Sequence, residues 1–342
     1  MRRLDILTSV GDCRISINDT VANLSEYVPG EKTAVITDRN VKQIHPGVFE
    51  NFEVIEIEPG EESKTIETAE HVYRELLALE MDRSSFIIGI GGGMVCDMVG
   101  FCASTYMRGI GFGFVPTTLL AQVDASVGGK NGVNLDGFKN IIGVFNQPGF
   151  VLIDFDFLKT LPERELQCGM AEIIKHALIK SKSLFDGLEK HSRDLVTLQS
   201  DILERAVTDS LKIKSEIVIA DTKEKGERRL LNFGHTLGHA IEASLGLKHG
   251  EAVSLGITFA LKISEAKGKI TSKESQRIQR FLEIFGLPTH LSFDKKIVIN
   301  IMKKDKKRRS KDVHFVLLSG IGKAEIIRMP FSELEEYIHD LC

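Results

Sequence analysis

Cysteine is scarce and badly placed for pairing. The five are Cys13, Cys96, Cys102, Cys168 and Cys342, and no two form a C-x-x-C pair. Neither a disulfide framework nor a zinc ribbon is expected from them, and reduced thiols in a cytoplasmic protein fit best. Long apolar runs are missing too. The most apolar stretch, FIIGIGGGMVCDMVGFCASTYM, is interrupted by Asp97 and crowded with glycine, whereas a membrane span needs ~20 predominantly apolar residues. The beginning, MRRLDILTSVGDCRISIND, is basic at first but has no apolar stretch long enough for a signal peptide. Nor is there an excess of one charge. A formal net charge of −4 gives no global field to draw nucleic acid or an anionic membrane. Tryptophan is absent, and that absence excludes nothing.

What is present describes a soluble globular protein. Hydrophobic residues make up 42% and charged ones 27% of the chain, enough for a packed core. At roughly 100–200 residues per domain, the 342 residues predict two domains. The first part alternates short strand-like pieces with helical ones. TAVITD (33–38), FEVIEIE (52–58), SFIIGIGG (85–92), FGFVPTT (112–118) and FVLID (150–154) read as strands. TIETAEHVYRELLALEM (65–81) carries Ala69, Val72, Leu76 and Leu79 on one helical stripe, and 93–107 reads as a second helix. This rhythm predicts an α/β domain with a mostly parallel, Rossmann-like sheet. After about residue 158 the periodicity becomes helical, with a hairpin-like piece at 313–329 before a last helix. The expected division is therefore 1–158, α/β, and 159–342, mainly α-helical. A charged run, KKDKKRRSKD (303–312), reads as a solvated segment or as an anion-binding one that reaches into a cleft.

Two stretches carry chemistry. GIGGGMVCD ends a strand and opens a helix, where unpaired N–H groups and the positive dipole end suit a pyrophosphate. Gly89 and Gly91 fit the G-x-G-x-x-G dinucleotide fingerprint, but Met94 stands at its third glycine. No acidic residue follows at the expected strand end, and Asp38, on an earlier strand, is the candidate. A turn serving chain geometry alone is equally compatible with these residues. The second stretch is NFGHTLGHAIEASLGLKHGEA (232–252). His235 and His239 are four apart and face one way on a helix, and His249 opens the next helix. In GMAEIIKHA, Glu172 is embedded among apolar neighbours, a costly place for a carboxylate unless it is paired or ligated. Three histidines and one carboxylate suit a divalent metal with an open position, although spacing leaves open which two histidines bind. Basic residues gather nearby. Lys130, Lys139 and Asn140 lie in a hairpin expected at 126–143, Lys175 follows Glu172 by one helical turn, and Lys214 sits on the helix before Arg228 and Asn232. Arg228, Asn232 and His235 have spacings that would share a helical face. Each cation alone reads as a surface charge, and together they suit a small, multiply anionic substrate.

GGGMVCDMVGF, STYMRG, VPTTLLAQVDASVGGKNGVN, GMAEIIKHA and LLNFGHTLGHAIE with HGEAV together resemble the 3-dehydroquinate synthase family of sugar-phosphate cyclases. The resemblance runs in order over about residues 85 to 255. It implies NAD-dependent conversion of 3-deoxy-D-arabino-heptulosonate 7-phosphate to 3-dehydroquinate and phosphate, by oxidation, elimination, reduction and aldol closure. It implies zinc or cobalt on Glu172, His235 and His249, proton transfer by His239 and Glu224, and a catalytic set that includes Lys130 and Lys175. Substrate contacts fall on Asp124, Lys130, Asn140, Lys175, Lys214, Arg228, Asn232, His239 and either Lys306 or Lys307. Arg108 matches an arginine donated across a homodimer interface. NAD contacts fall on Asp38, Glu61, Lys64, Gly91, Gly92, Gly93, Asp97, Thr117, Thr118, Lys130, Lys139, Phe157, Leu158, Lys159 and Thr160. Cys168 departs from the family's usual asparagine or serine. Three alternatives are another cyclase such as 2-deoxy-scyllo-inosose synthase, a metal-dependent alcohol dehydrogenase, and a catalytically dead NAD-binding scaffold.

Overall fold

The computed structural model describes residues 2–29, 32–306 and 312–341. Contacts divide the chain into two compact units between Pro162 and Glu163, a few residues beyond the join expected at 158. The first unit is built on strands β1 Arg2–Thr8, β2 Gly11–Ile17, β3 Thr33–Asp38, β4 Glu53–Ile57, β5 Phe86–Gly91, β6 Gly111–Pro116, β7 Lys130–Leu135, β8 Phe138–Phe145 and β9 Phe150–Ile153. Seven of them form one sheet in the order β1-β2-β9-β6-β5-β3-β4. Every pairing in it is parallel except β1 with β2. Strand β5 is buried at all its positions, as a parallel strand covered on both faces must be. Phe86, Ile88 and Ile90 of β5 join Val35, Val115, Phe150 and Leu152 in the apolar core.

Helix α1 (Arg39–Ile44) follows β3, α2 (Ile66–Ala78) follows β4, and α3 (Gly93–Thr105) follows β5. The expected stripe on α2 is present, with Ala69, Val72 and Leu76 buried. The helix stops before residue 81 because Glu80 takes a left-handed backbone, φ 52°. Strands β7 and β8 pair as a separate hairpin around Asp136 and Gly137, both at positive φ, which is the conformation a two-residue turn demands. The β1–β2 hairpin was not foreseen. Of β1 only Ile6 is buried, with Leu4 and Thr8 half-buried and the remaining residues exposed.

The second unit is helical, as the periodicity predicts. It contains α4 (Glu163–Lys180), α5 (Lys182–Lys190), α6 (Ser192–Val196), α7 (Ser200–Ala220), α8 (His235–Leu245), α9 (His249–Ala266), α10 (Ser272–Ile284), α11 (Lys295–Lys306) and α12 (Phe331–Leu341). Strands β10 (Asp312–Gly320) and β11 (Lys323–Pro330) form the expected antiparallel hairpin. Helices α8 and α9 pack backbone to backbone. A Cβ on Gly256 would lie 1.8 Å from Gly234 O, so only glycine admits the approach. The same holds between α9 and α4, where a Cβ on Gly250 would fall 2.3 Å from the Cα of Cys168. Among the described residues, no helix is long and apolar enough to cross a membrane.

Candidate active site

In the first unit, the glycine turn sits where the chain reverses its direction of sheet building. From β3 the chain adds β4 on one side and then β5 on the other, and ligands of open α/β sheets bind at such switch points, beyond the carboxyl ends of the strands. Thr37 pairs with Ile90, so Asp38 and Gly91 are the next residues at adjacent strand ends. On the other side Gly91 pairs with Pro116, which brings Thr117 and Thr118 alongside. The acidic residue missing after β5 in sequence is thus supplied by its neighbour in space. Gly92 caps α3 without any side-chain hydrogen bond, leaving first-turn amides for an anion. A Cβ on Gly91 would meet Val95 at 2.5 Å, and one on Gly93 would meet Ala125 at 3.0 Å. These observations fit a dinucleotide phosphate held by backbone.

The other residues expected around NAD have identifiable partners. Asp38 Oδ1 accepts from the amides of Asn40 (2.9 Å) and Val41 (3.1 Å), and burial raises its carboxyl. Lys64 is buried and forms an ion pair with Asp97, with Glu61 3.8 Å away. Asn134 Nδ2 donates to Glu61 at 2.9 Å, tying the segment to β7. Phe157 and Leu158 are core side chains of a short 3-10 turn, Phe155–Thr160. They therefore contribute by shape and backbone, while Lys159 is exposed. His45 Nε2 lies 3.0 Å from Thr160 Oγ1. Lys130, Lys139 and Asn140 are exposed on the hairpin, and Asp124 lies in the turn Ala121–Ala125. Arg108 and its neighbour Met107 both take positive φ, 72° and 48°.

In the second unit, α4, α8 and α9 converge. Glu172 Oε1 lies 3.3 Å from His249 Nε2 and 3.6 Å from His235 Nε2. Two ligands ~2 Å from a tetrahedral ion stand ~3.3 Å apart, so this spacing fits one small divalent cation. His235 Nδ1 donates to Phe233 O at 3.1 Å, since a carbonyl can only accept. That bond leaves Nε2 with its lone pair toward Glu172. His249 Nδ1 faces Glu242 Oε2 at 3.5 Å, the carboxylate–histidine arrangement typical behind metal ligands. The donor set therefore fits a metal. His239 is more exposed, with its ring centroid 5.0 Å from that of His235 and 6.1 Å from that of His249. His239, Glu242 and His249 form a second convergent group, and the buried set around Glu172 is the one with its tautomer fixed. Glu242 was missed in the sequence, although its spacing of seven from His235 puts it on that helical face.

Electrostatics in this cluster are unusual. Glu172 is 0% and Lys175 1% exposed, and the two form an ion pair. Burial pushes the Glu172 carboxyl up, but Lys175 and the two imidazoles outweigh it and hold it well below the usual range. Burial and Lys175 push His235 well down. For His249 burial acts downward too, yet hydrogen bonds with Glu172 and Glu242 lift it to about 9. Lys214 and Arg228 are 4% and 3% exposed. The reading of these cations as surface charges is therefore corrected: burial leaves them few roles besides meeting anions.

The shared helical face expected for Arg228, Asn232 and His235 is also corrected. Glu227–Asn232 is a short 3-10 turn, and Gly234 at φ 79° separates it from α8. Asp221 organises the loop before it, accepting from the amides of Lys225 (2.9 Å), Gly226 (2.6 Å) and Arg228 (3.1 Å). Glu224 sits in that loop at φ 56° and receives a hydrogen bond from Asn232 Nδ2 at 2.6 Å. Cys168 is buried, its Sγ accepts from Gly250 N at 3.3 Å, and burial pushes its thiol up to about 11. It is a packing residue of the α4–α9 contact. Lys306 ends α11 at the edge of what is described, and Lys307 lies outside the described residues.

A pH dependence follows from Asp97. Burial pushes its carboxyl from 3.8 up to about 6, with Lys64 pulling the other way. The folded chain thus keeps this proton longer than the unfolded one. The contribution to stability is fully present below 3.8 and is lost as pH rises through about 6. Chemical denaturation across this window should show that fall, and Asp97→Asn should flatten it.

Comparison with known proteins places the chain in a family. The family model for the 3-dehydroquinate synthase N-terminal region matches residues 54–168, and that for the C-terminal region matches 169–308. The 3-dehydroquinate synthase of Thermoanaerobacter pseudethanolicus is 44% identical over 328 residues, covering 91% of each chain. Among solved structures, 2-epi-5-epi-valiolone synthase from Streptomyces hygroscopicus subsp. jinggangensis, with NAD+ and Zn2+ bound, superposes with a TM-score of 0.88 at 28% identity, covering 99% of this chain and 97% of that one. A 2-deoxy-scyllo-inosose synthase, complexed with carbaglucose-6-phosphate, NAD+ and Co2+, gives 0.88 at 24% identity over 98% and 99% of the two chains, a likeness of fold. With both regions matched in order and an identity of 44% to a full-length relative, the chain belongs to the 3-dehydroquinate synthase family.

Proposed function

We propose that this chain converts 3-deoxy-D-arabino-heptulosonate 7-phosphate to 3-dehydroquinate and phosphate, serving aromatic biosynthesis by the shikimate route. The observation that carries this reading is the convergence of Glu172 Oε1 with the Nε2 atoms of His235 and His249, in a family whose members bear this name. Gly91, Gly92 and Gly93 at the glycine turn would hold NAD, which would supply reversible hydride acceptance without net formation of NADH. Zinc or cobalt, held by Glu172, His235 and His249, would make a substrate hydroxyl more acidic and its ketone more electrophilic.

The chain's own residues supply the rest. Asp38, Glu61, Lys64, Asp97, Thr117, Thr118, Lys139 and the Phe157–Thr160 segment orient the dinucleotide. Lys175, Lys214 and Arg228 bind and orient the substrate's anionic groups and Asn232 its hydroxyls; Asp124, Lys130, Asn140 and either Lys306 or Lys307 are further substrate contacts that the family resemblance implies. Buried cations suit this task, because charge–charge attraction is strong where water is excluded. His239 stands beside both ligand histidines, close enough to exchange protons with a substrate held there. Glu224, fixed by Asn232, is a second proton acceptor. Lys130 and Lys175 hold developing negative charge during phosphate loss. We place the enzyme in the cytoplasm, in keeping with free, buried thiols at Cys13, Cys96, Cys102 and Cys168.

Glu172→Ala, His235→Ala and His249→Ala should each abolish turnover and lower the metal content measured on purified protein. His239→Ala should keep its metal and lose activity, and metal loss in that variant would mean the ligands are wrongly assigned. Incubation with the heptulosonate phosphate should release inorganic phosphate with no net rise in absorbance from NADH. A sustained rise would identify an alcohol dehydrogenase instead.

We also propose a homodimer to which Arg108 contributes. Support comes from the β7–β8 hairpin, where Leu135, Phe138, Ile141 and Phe145 are exposed, since exposed apolar clusters mark association surfaces. Sedimentation velocity should report twice the chain mass, and Ile141→Asp should shift it toward the monomer.

A further inference from the structure

The helical unit contains a dry polar contact that the proposed reaction does not use. His176 Nδ1 lies 2.8 Å from Ser210 Oγ, and both residues are 0% exposed. The two belong to different helices. His176 is on α4, four residues after Glu172 and next to Lys175. Ser210 is on α7, four residues before Lys214. Residues three and four apart share a face of a helix. The hydrogen bond therefore joins the face of α4 that carries Glu172 and Lys175 to the face of α7 that carries Lys214.

Apolar packing alone sets such a helix pair less sharply. Apolar burial is non-directional, and replacing both members of a buried polar pair by apolar groups of the same shape is often close to neutral for stability. A single buried hydrogen bond has one distance and one direction at which it is satisfied. A slip of α7 along α4 would break it and leave both polar groups without water to replace the lost partner. Its effect is to fix register.

We propose that His176 and Ser210 are positioning residues that hold Lys175 and Lys214 at the separation the anionic substrate requires. The inference rests on the reading of those two lysines as substrate contacts. Neither His176 nor Ser210 touches substrate in this scheme. They act through the lysines, and so they influence substrate affinity more than the rate of the bound complex.

The test is steady-state kinetics of the metal-loaded enzyme on the heptulosonate phosphate, with metal content and thermal unfolding measured in parallel. Ser210→Ala and His176→Leu should each raise KM about three- to tenfold, the worth of one hydrogen bond, while kcat and bound metal change by less than twofold. Ser210→Thr, which keeps the hydroxyl, and His176→Asn, which keeps a polar atom where Nδ1 stands, should restore KM at least in part. The double variant Ser210→Ala with His176→Leu should be no worse than either single one. A contact that serves only the fold would instead lower the melting temperature and the active fraction and leave KM alone; that result, or additive effects in the double variant, overturns the proposal. Lys175→Ala and Lys214→Ala are the controls. Should these leave KM unchanged, the reading of the lysines has failed; should they raise KM while Ser210→Ala does not, the positioning role has failed.

Discussion

An ionised carboxylate at the centre of a helical bundle is the constraint to which the second unit is built. Glu172 has no access to water, and an isolated buried charge of that kind is prohibitively unfavourable. Lys175 on the same helix supplies one counter-charge, and the imidazoles of His235 and His249 arrive from two other helices. Each arrival depends on close backbone packing. Gly256 lets α9 approach the start of α8, and Gly250 lets it approach α4 at Cys168. The chemistry and the packing are therefore one problem: a larger residue at either glycine would separate the donors that make the carboxylate tolerable.

The first unit meets a different need with different means. A dinucleotide carries its charge on phosphates, which backbone amides can hold at the start of a helix without any cation. Gly91, Gly92 and Gly93 keep that helix end open, and the parallel pairing of β3 with β5 brings Asp38 level with it. Acid and glycines are far apart in the chain yet adjacent in space. Parallel sheets allow this because crossover connections let sequence-distant strands lie side by side.

Much of this was legible in the sequence, and the limits have physical causes. Periodicity marked α2, α3 and the helices of the second unit, because amphipathic faces are local. The glycine turn and the His235–His239 spacing were equally local signals. Which imidazole faces Glu172 was not, since that contact spans helices whose relative placement no spacing encodes. Resemblance to a family selected His235 and His249, and the geometry brings these two to Glu172, with Phe233 O setting the tautomer of His235. Glu242 went unnoticed because its value lies in what His249 does, not in its own surroundings. Lys175, Lys214 and Arg228 were read one at a time as surface charges, for burial is a property of the fold. The presumed helix through Arg228 and Asn232 fails at Gly234, whose left-handed backbone starts a new element.

The order of the strands has one more consequence. Its outermost members are β1 and β4, and both are lined with ionic side chains: Arg2, Arg3 and Asp5 on one, Glu53 and Glu56 on the other. A bare strand is a template on which a neighbouring chain can add itself, and charge along it is what discourages such growth. The sheet is in this way guarded at both rims against fibre-like stacking, even while its interior is among the most apolar parts of the molecule.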